Sequence, residues 1–244
     1  MQSIVYVYNG PGASDRSVQQ TVSLFQRFLY SVKTINAKEV CAGQWRLDAA
    51  LFVLPGGADV PYVKDLTPNG NEQIQAYVHE GGSFLGICAG SYYASSFVEF
   101  AKGTDLEVVG NRELALFKGS AIGPYLRQYD YKTNSGACSA NISLEEYDLQ
   151  VFYQGGGYFE IQNETEIDVI AWYKVENKRT KPAIIGLSYG VGRVVLSGVH
   201  PEYDPELLDK KDAYLAPIAS KLKGFETKRM QLMKHLLQRL LQGE

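Results

Sequence analysis

Between Gly81 and Ser96 the chain reads Gly-Gly-Ser-Phe-Leu-Gly-Ile-Cys-Ala-Gly-Ser-Tyr-Tyr-Ala-Ser-Ser, and few folds accommodate that order. A short apolar run ends in Cys88, and small residues follow at once. Gly86 and Gly90 stand two residues before and after the cysteine, where bulky side chains would clash as a strand reverses into a helix. The spacing predicts a strained strand-to-helix turn with Cys88 at its tip, the sulfur counterpart of the turn that lifts a nucleophile into solvent. The N-terminal amides and positive dipole end of the following helix favour thiolate over thiol.

The surrounding pattern supplies a sheet for that turn. Ser3 to Tyr8 is a β-rich run stopped by Asn9-Gly10-Pro11-Gly12, and Ser14 or Asp15 caps a helix whose apolar positions Val18, Val22, Phe25, Phe28 and Leu29 recur at helical spacing. Val32 to Ile35 reads as a short strand. Ala49 to Leu54 is a continuous apolar strand halted by Pro55-Gly56-Gly57, and a helix is expected from about Asn71 to Glu80. Gly82 to Ile87 feeds the Cys88 turn, with a helix expected to about Phe97. Continuous apolar strands alternating with helices predict a parallel sheet covered on both faces.

From Thr104 to Trp172 the pattern changes to short strands and turns, including Leu149 to Tyr153, Gly155-Gly156-Gly157 and Val169 to Tyr173. Ala183 to Tyr189 and Arg193 to Ser197 read as a hairpin around Gly190-Val191-Gly192. The hairpin's second strand runs into His200-Pro201-Glu202. Phe225 to Leu241 is a helix whose Met233, Leu236, Leu237, Leu240 and Leu241 form one packing face. With no repeat, low-complexity tract or linker, the expectation is one domain over residues 1–244: a doubly wound, mostly parallel α/β sheet with an antiparallel β-rich insertion in the second half.

Composition narrows the partners. The net charge is −3 over 244 residues, with neither a basic stripe for nucleic acid nor a polybasic patch or apolar run for a membrane. The N-terminus lacks a basic leader and reads as the first strand. Cysteines at 41, 88 and 138 are odd in number and far apart, which argues against a disulfide framework or a structural zinc site and for a reducing, cytoplasmic setting. Cys41 and Cys138 read as small buried hydrophobes, and His79 and His235 as structural.

Three segments share one logic. Pro55-Gly56-Gly57, the Cys88 turn and His200-Pro201-Glu202 each follow a predicted strand, and sites in open parallel sheets form at the carboxyl ends of strands. A thiol attacking an acyl carbon needs a base, an orienter for that base and donors for the developing oxyanion. His200 can be the base and Glu202 its orienter. The amide of Ala89 and one from Gly56 or Gly57 can form the oxyanion hole. No metal or cofactor is implied.

This ordered set resembles the class I glutamine amidotransferase superfamily, with its oxyanion-strand Pro-Gly-Gly, Gly-x-Cys-x-Gly turn and late His-Pro-Glu. The resemblance implies a flavodoxin-like fold with Cys88 as nucleophile, His200 as base and Glu202 as orienter. A nearer resemblance is to the amidotransferase-like domain at the N-terminus of eukaryotic biotin-protein ligases, which also occurs as stand-alone bacterial proteins. It rests on Tyr8-Asn9-Gly10-Pro11-Gly12, Leu54-Pro55-Gly56-Gly57-Ala58-Asp59, Gly86-Ile87-Cys88-Ala89-Gly90-Ser91-Tyr92-Tyr93 and Tyr153-Gln154-Gly155-Gly156-Gly157-Tyr158-Phe159. Glutamine-hydrolysing members resembling this pattern carry a glutamine four residues after the nucleophile, where this chain has Tyr92.

The implied activity is hydrolysis or transfer of a small amide or acyl substrate, with Tyr92, Tyr93 and the Gly155, Gly156, Gly157 loop as candidate substrate contacts. The chain has no Gly-Arg-Gly-Arg-like adenylate loop, so biotin ligation of its own is not expected. Two other classes stand beside the enzyme. One is a non-catalytic regulatory or binding module whose partner would be a biotin ligase or carboxylase subunit. The other is a redox-sensing thiol, which would hold a stable sulfenic acid at Cys88.

Overall fold

The computed structural model describes residues 4–161 and 167–241. Its first half winds strand and helix alternately: β1 (Ile4–Tyr8), α1 (Asp15–Arg27), β2 (Ser31–Ile35), α2 (Ala37–Ala42), β3 (Ala49–Leu54), α3 (Asp59–Leu66), α4 (Asn69–His79), β4 (Ser83–Ile87) and α5 (Ala89–Ala94). The strands are short apolar runs, and side chains alternate between faces. Val5, Val7, Leu51, Val53, Leu85 and Ile87 enter one core beside α1, while Tyr6, Tyr8, Phe52, Leu54 and Phe84 enter the other. Both faces of the sheet are therefore buried, as its near-continuous hydrophobic strands require.

The second half is β-rich: β5 (Ser95–Phe100), β6 (Val108–Asn111), β7 (Phe117–Gly123), β8 (Ala137–Ser143), β9 (Asp148–Gln154), β10 (Tyr158–Glu160), β11 (Ile167–Val175), β12 (Lys178–Tyr189) and β13 (Gly192–Ser197). Helices α6 (Leu215–Lys223) and α7 (Glu226–Leu241) follow. Met233, Leu236, Leu237 and Leu240 of α7 join the core that holds α1, as their spacing predicted. Among the described residues no helix is long and apolar enough to cross a membrane.

The central sheet has nine strands in the order β2-β1-β3-β4-β13-β12-β11-β8-β9. Pairings from β2 to β13 are parallel, and those from β13 to β9 are antiparallel. The expectation of a mostly parallel sheet is corrected: the sheet is evenly mixed. The β-rich segment is not an insertion apart from the sheet, since β8, β9, β11 and β12 extend it. A second, four-stranded sheet, β10-β7-β5-β6, stands on the face that holds α5. The parallel half begins in the order expected of a flavodoxin-like fold, and the antiparallel half departs from it.

Local differences have physical causes. The helix after Cys88 ends at Ala94 rather than Phe97, because Ser95–Phe100 pairs with β6 and β7. Helix α3, unnamed among the expected elements, follows the Pro-Gly-Gly turn and contains Pro61. It falls within the first turn, where a missing N–H costs nothing.

Candidate functional site

Cys88 links β4 to α5 at φ 50° and ψ −107°, a conformation that residues with a Cβ rarely adopt. The turn is over-determined by hydrogen bonds. The Cys88 amide donates to Ser197 O at 2.8 Å, the Gly90 amide to Pro55 O at 3.2 Å, and the Ser91 amide and hydroxyl to Cys88 O at 2.9 and 2.7 Å. A Cβ on Gly90 would stand 1.9 Å from Leu54 O, so the second glycine of the motif is a packing necessity. Strands β3, β4 and β13 thus converge on one residue.

His200 lies just beyond the end of β13. Its amide donates to Phe152 O of β9 at 2.8 Å, which ties it to the antiparallel half. Its Nδ1 lies 2.7 Å from Glu202 Oε1, and both side chains are buried. The imidazole packs against Phe152 (5.8 Å) and Tyr203 (4.7 Å), which stack on each other at 4.4 Å. Burial pushes the His200 pKa down, but the Glu202 carboxylate and the nearby Cys88 outweigh it and raise it to about 10. Nδ1 is therefore the ring nitrogen engaged by the carboxylate. The other carboxylate oxygen, Glu202 Oε2, is buried without a partner among the described residues.

Gly56 measures how near the two groups come. A Cβ there would be 2.7 Å from His200 Cε1 and 3.5 Å from Cys88 Cβ. The absence of a side chain at Gly56 is what leaves room for the imidazole, while Cys88 lies at ordinary contact distance. The Cys88 thiol also donates to Gln154 O at 3.6 Å.

The three expected oxyanion donors separate. The Gly56 amide already donates to Ser17 Oγ at 2.9 Å, which corrects its assignment as a donor to substrate. Gly57 and Ala89 border the cleft beside Cys88, and neither amide donates a hydrogen bond among the described residues. Gly57 has φ 152°, and a Cβ there would meet Gly12 O at 1.9 Å, so the first loop fixes the direction of its amide.

The cleft is walled by Gly57, Asp59, Cys88, Tyr92, Phe100, Tyr129, Tyr131 and Gly155. Its free space, about 20 Å³ measured at water centres, is room for roughly one water. Tyr92 faces it with its hydroxyl on Gly155 O at 3.2 Å. Tyr93 does not: it is fully buried, donates to Asn71 Oδ1 at 2.6 Å and meets Tyr62 edge-on. Gly156 and Gly157 also lie away from the cleft's lining. A Cβ on Gly156 would stand 1.7 Å from Gly198 O, and one on Gly157 2.7 Å from Tyr92 Oη. These two glycines serve close backbone packing, which corrects their reading as ligand contacts, as does the burial of Tyr93.

Sequence reasoning missed part of the wall. Phe100, Tyr129 and Tyr131 come from β5 and the segment after β7, and no motif marks them. Asp59 stood inside the quoted Pro-Gly-Gly-Ala-Asp run without a role; Arg112, 53 residues away, holds its Oδ2 through Nε at 2.8 Å. Among the described residues no cluster of His, Cys, Asp and Glu could hold a metal ion.

A family model described as "Biotin-protein ligase, N terminal" matches residues 3–242. The chain is 34% identical to a biotin-protein ligase of Schizosaccharomyces pombe over 85% of its own length, and it spans only 35% of that ligase. It is also 34% identical to an uncharacterized protein of Chlamydia muridarum, over 99% of this chain and 98% of that one. Among solved structures it is similar to a ThuA-like protein of Bacteroides uniformis, with a TM-score of 0.50 and 9% identity over 81% of this chain and 82% of that one. A GH42 β-galactosidase of G. stearothermophilus gives a TM-score of 0.52 at 13% identity over 82% of this chain and 27% of that one. Those two likenesses concern the fold alone. The chain belongs to the biotin-protein ligase N-terminal family.

Proposed function

We propose that this member of the family is a cysteine-dependent, amidotransferase-like hydrolase of a small amide or acyl substrate, without biotin ligase activity of its own. The observation that carries the reading is the buried His200–Glu202 pair, 2.7 Å apart, beside a cysteine held at positive φ. In this reading Cys88 Sγ attacks the carbonyl carbon and a C–S bond forms. The carbonyl electron pair becomes an oxyanion held by the Gly57 and Ala89 amides. Collapse breaks the C–N bond while His200 protonates the departing amine. Water, giving its proton to His200, then attacks the thioester, the C–S bond breaks, and the acid leaves. A reducing, cytoplasmic setting suits a mechanism built on one free thiol.

The experiment is release of amine or ammonia from a panel of amides by the wild type and by Cys88→Ala. Loss of a nucleophile predicts a fall in kcat of roughly 1000-fold or more; equal turnover by the two proteins overturns the reading.

A second reading is a non-catalytic regulatory or binding module. The cleft's room for roughly one water and Tyr92 in the fourth position after Cys88 favour it. It also stays nearer to what family membership itself provides, since the chain corresponds to about a third of the matched ligase. Its partner would be a biotin ligase or carboxylase subunit. Co-purification with such a subunit, unchanged by Cys88→Ser and accompanied by no turnover of any amide, would establish this reading over the first.

A further inference from the structure

Arg229 is the one charged side chain in the buried stripe of α7. The stripe runs Arg229, Leu232, Met233, Leu236, Leu237 and Leu240, so an arginine stands where an apolar residue would pack. It is 1% exposed. Taking a guanidinium out of water is costly, and an apolar side chain there would carry no such penalty. Its contacts show what the charge holds. Nε and Nη2 donate to Glu226 Oε2 and Oε1, both at 2.8 Å, one turn back on the same helix. The third nitrogen, Nη1, reaches out of the helix and donates to Pro201 O at 2.9 Å.

That carbonyl belongs to the peptide that joins Pro201 to Glu202. Glu202 is itself 1% exposed, and its Oε1 holds His200 Nδ1 at 2.7 Å. Its Oε2 has no partner among the described residues, so no second donor orients the carboxylate. The alignment of the carboxylate with the imidazole is therefore inherited from the backbone of the turn. The ends of the turn are tied elsewhere: the His200 amide donates to Phe152 O at 2.8 Å, and the Asp204 amide to Gln20 Oε1 at 2.7 Å. Between those ties, Arg229 is the hydrogen-bond partner of the Pro201–Glu202 peptide among the described residues. Arg27 of α1 braces the same corner, bridging Asp204 Oδ2 at 2.7 Å and Glu226 Oε1 at 3.0 Å.

We propose that Arg229 is a positioning residue, which holds the Pro201–Glu202 peptide so that the Glu202 carboxylate meets His200 Nδ1. The inference rests on the hydrolase reading, in which His200 is the base, and adds the residue that places its orienter. Arg229 does not line the Cys88 cleft, and it acts through Glu202. A role through charge alone has the opposite sign. A nearby cation lowers the proton affinity of an imidazole, so its removal would raise that affinity. Losing the residue that places the carboxylate lowers it, because His200 then loses the anion that holds its proton.

The test is an NMR pH titration of the His200 ring, made in the Cys88→Ser protein so that no thiol titrates beside it, with His79 as the internal reference. Arg229→Met, of similar length and without a donor, should cut the proton affinity of His200 roughly tenfold or more and leave His79 unchanged. Because Arg229→Met takes a partner from Glu226, the paired substitution Arg229→Met with Glu226→Gln removes both charges and supplies a second variant with the same expected result. With Cys88 intact, kcat for an amide that the wild type hydrolyses should fall roughly 100-fold in these variants while KM stays unchanged. A His200 proton affinity that is unchanged or raised in either folded variant overturns the inference, as does a fall that His79 shares or a rise in KM with kcat unchanged. Turnover of an amide by the wild type, with His200 unmoved in the variants, would overturn it and keep the hydrolase reading. A fall at His200 with no turnover of any amide by the wild type would keep the placement of Glu202 by Arg229 and overturn the hydrolase reading.

Discussion

The Cys88 turn and the aromatic wall opposite it are built on different principles. The turn is made by the ends of neighbouring strands, and backbone contacts fix almost every atom of it. A Cβ on Gly90 would stand under 2 Å from Leu54 O, and the Cys88 amide hangs from Ser197 O. The wall is assembled from side chains that arrive from distant segments: Asp59 from α3, Phe100 from β5, and Tyr129 and Tyr131 from the stretch after β7. The turn tolerates almost no change. The wall is a surface whose chemistry can be altered without altering the fold, which is where specificity is expected to reside.

Four outcomes would sharpen or break that contrast. The largest concerns the turn. Gly90→Ala should cost more than about 5 kcal/mol in denaturant unfolding, because its methyl group meets a backbone carbonyl that no side-chain rotation can move. A loss below about 1 kcal/mol, the scale expected for Tyr129→Leu in the wall, would erase the distinction.

Next is the one rigid element of the wall. Arg112→Gln leaves the Asp59 carboxylate buried without its partner, and a loss of about 3 kcal/mol is expected. If urea midpoints show no change, Asp59 is not held by that pair.

The third outcome is a pH dependence. His200 has its folded pKa raised to about 10 from the ordinary 6.5. Between those values the folded chain holds a proton that the unfolded chain has released. The stability from this pair is therefore complete below about pH 6.5 and is lost as pH rises through about 10. Unfolding free energies measured from pH 6 to 11 should fall in the wild type and fall less steeply in Glu202→Gln. Parallel curves would show that Glu202 does not hold the imidazole charged.

The smallest effect is expected at Tyr93. Tyr93→Phe should lose about 1 kcal/mol, the hydrogen bond to Asn71, and leave the reactivity of Cys88 untouched. A change in that reactivity would return Tyr93 to the site.

The same contrast explains what could be read from the residues in order. Gly86, Cys88, Gly90, Pro55-Gly56-Gly57 and His200-Pro201-Glu202 were all visible because local backbone demands write themselves as glycine and proline at fixed spacing. The parallel strands were visible as continuous apolar runs. The order of β8, β9, β11 and β12 in the central sheet was not visible, because short alternating strands do not state which edge they join. Gly56 was misread because its amide partner, Ser17, lies 39 residues earlier. Tyr93 and Gly156 were misread because proximity along the chain to Tyr92 and Gly155 says nothing about which side faces the cleft. The Asp59–Arg112 pair links residues that neither spacing nor periodicity connects.

The central claim is that Cys88 is an activated thiol served by His200. Its most direct test is the rate of Cys88 alkylation by iodoacetamide between pH 6 and 9, read by mass spectrometry of the Cys88 peptide in the wild type and in His200→Gln. The account predicts that the wild type reacts faster than a free thiol of pKa roughly 8.5 at neutral pH and keeps that advantage toward pH 6, while His200→Gln falls to the free-thiol curve. Wild-type rates that follow the free-thiol curve, or that His200→Gln leaves unchanged, would contradict it.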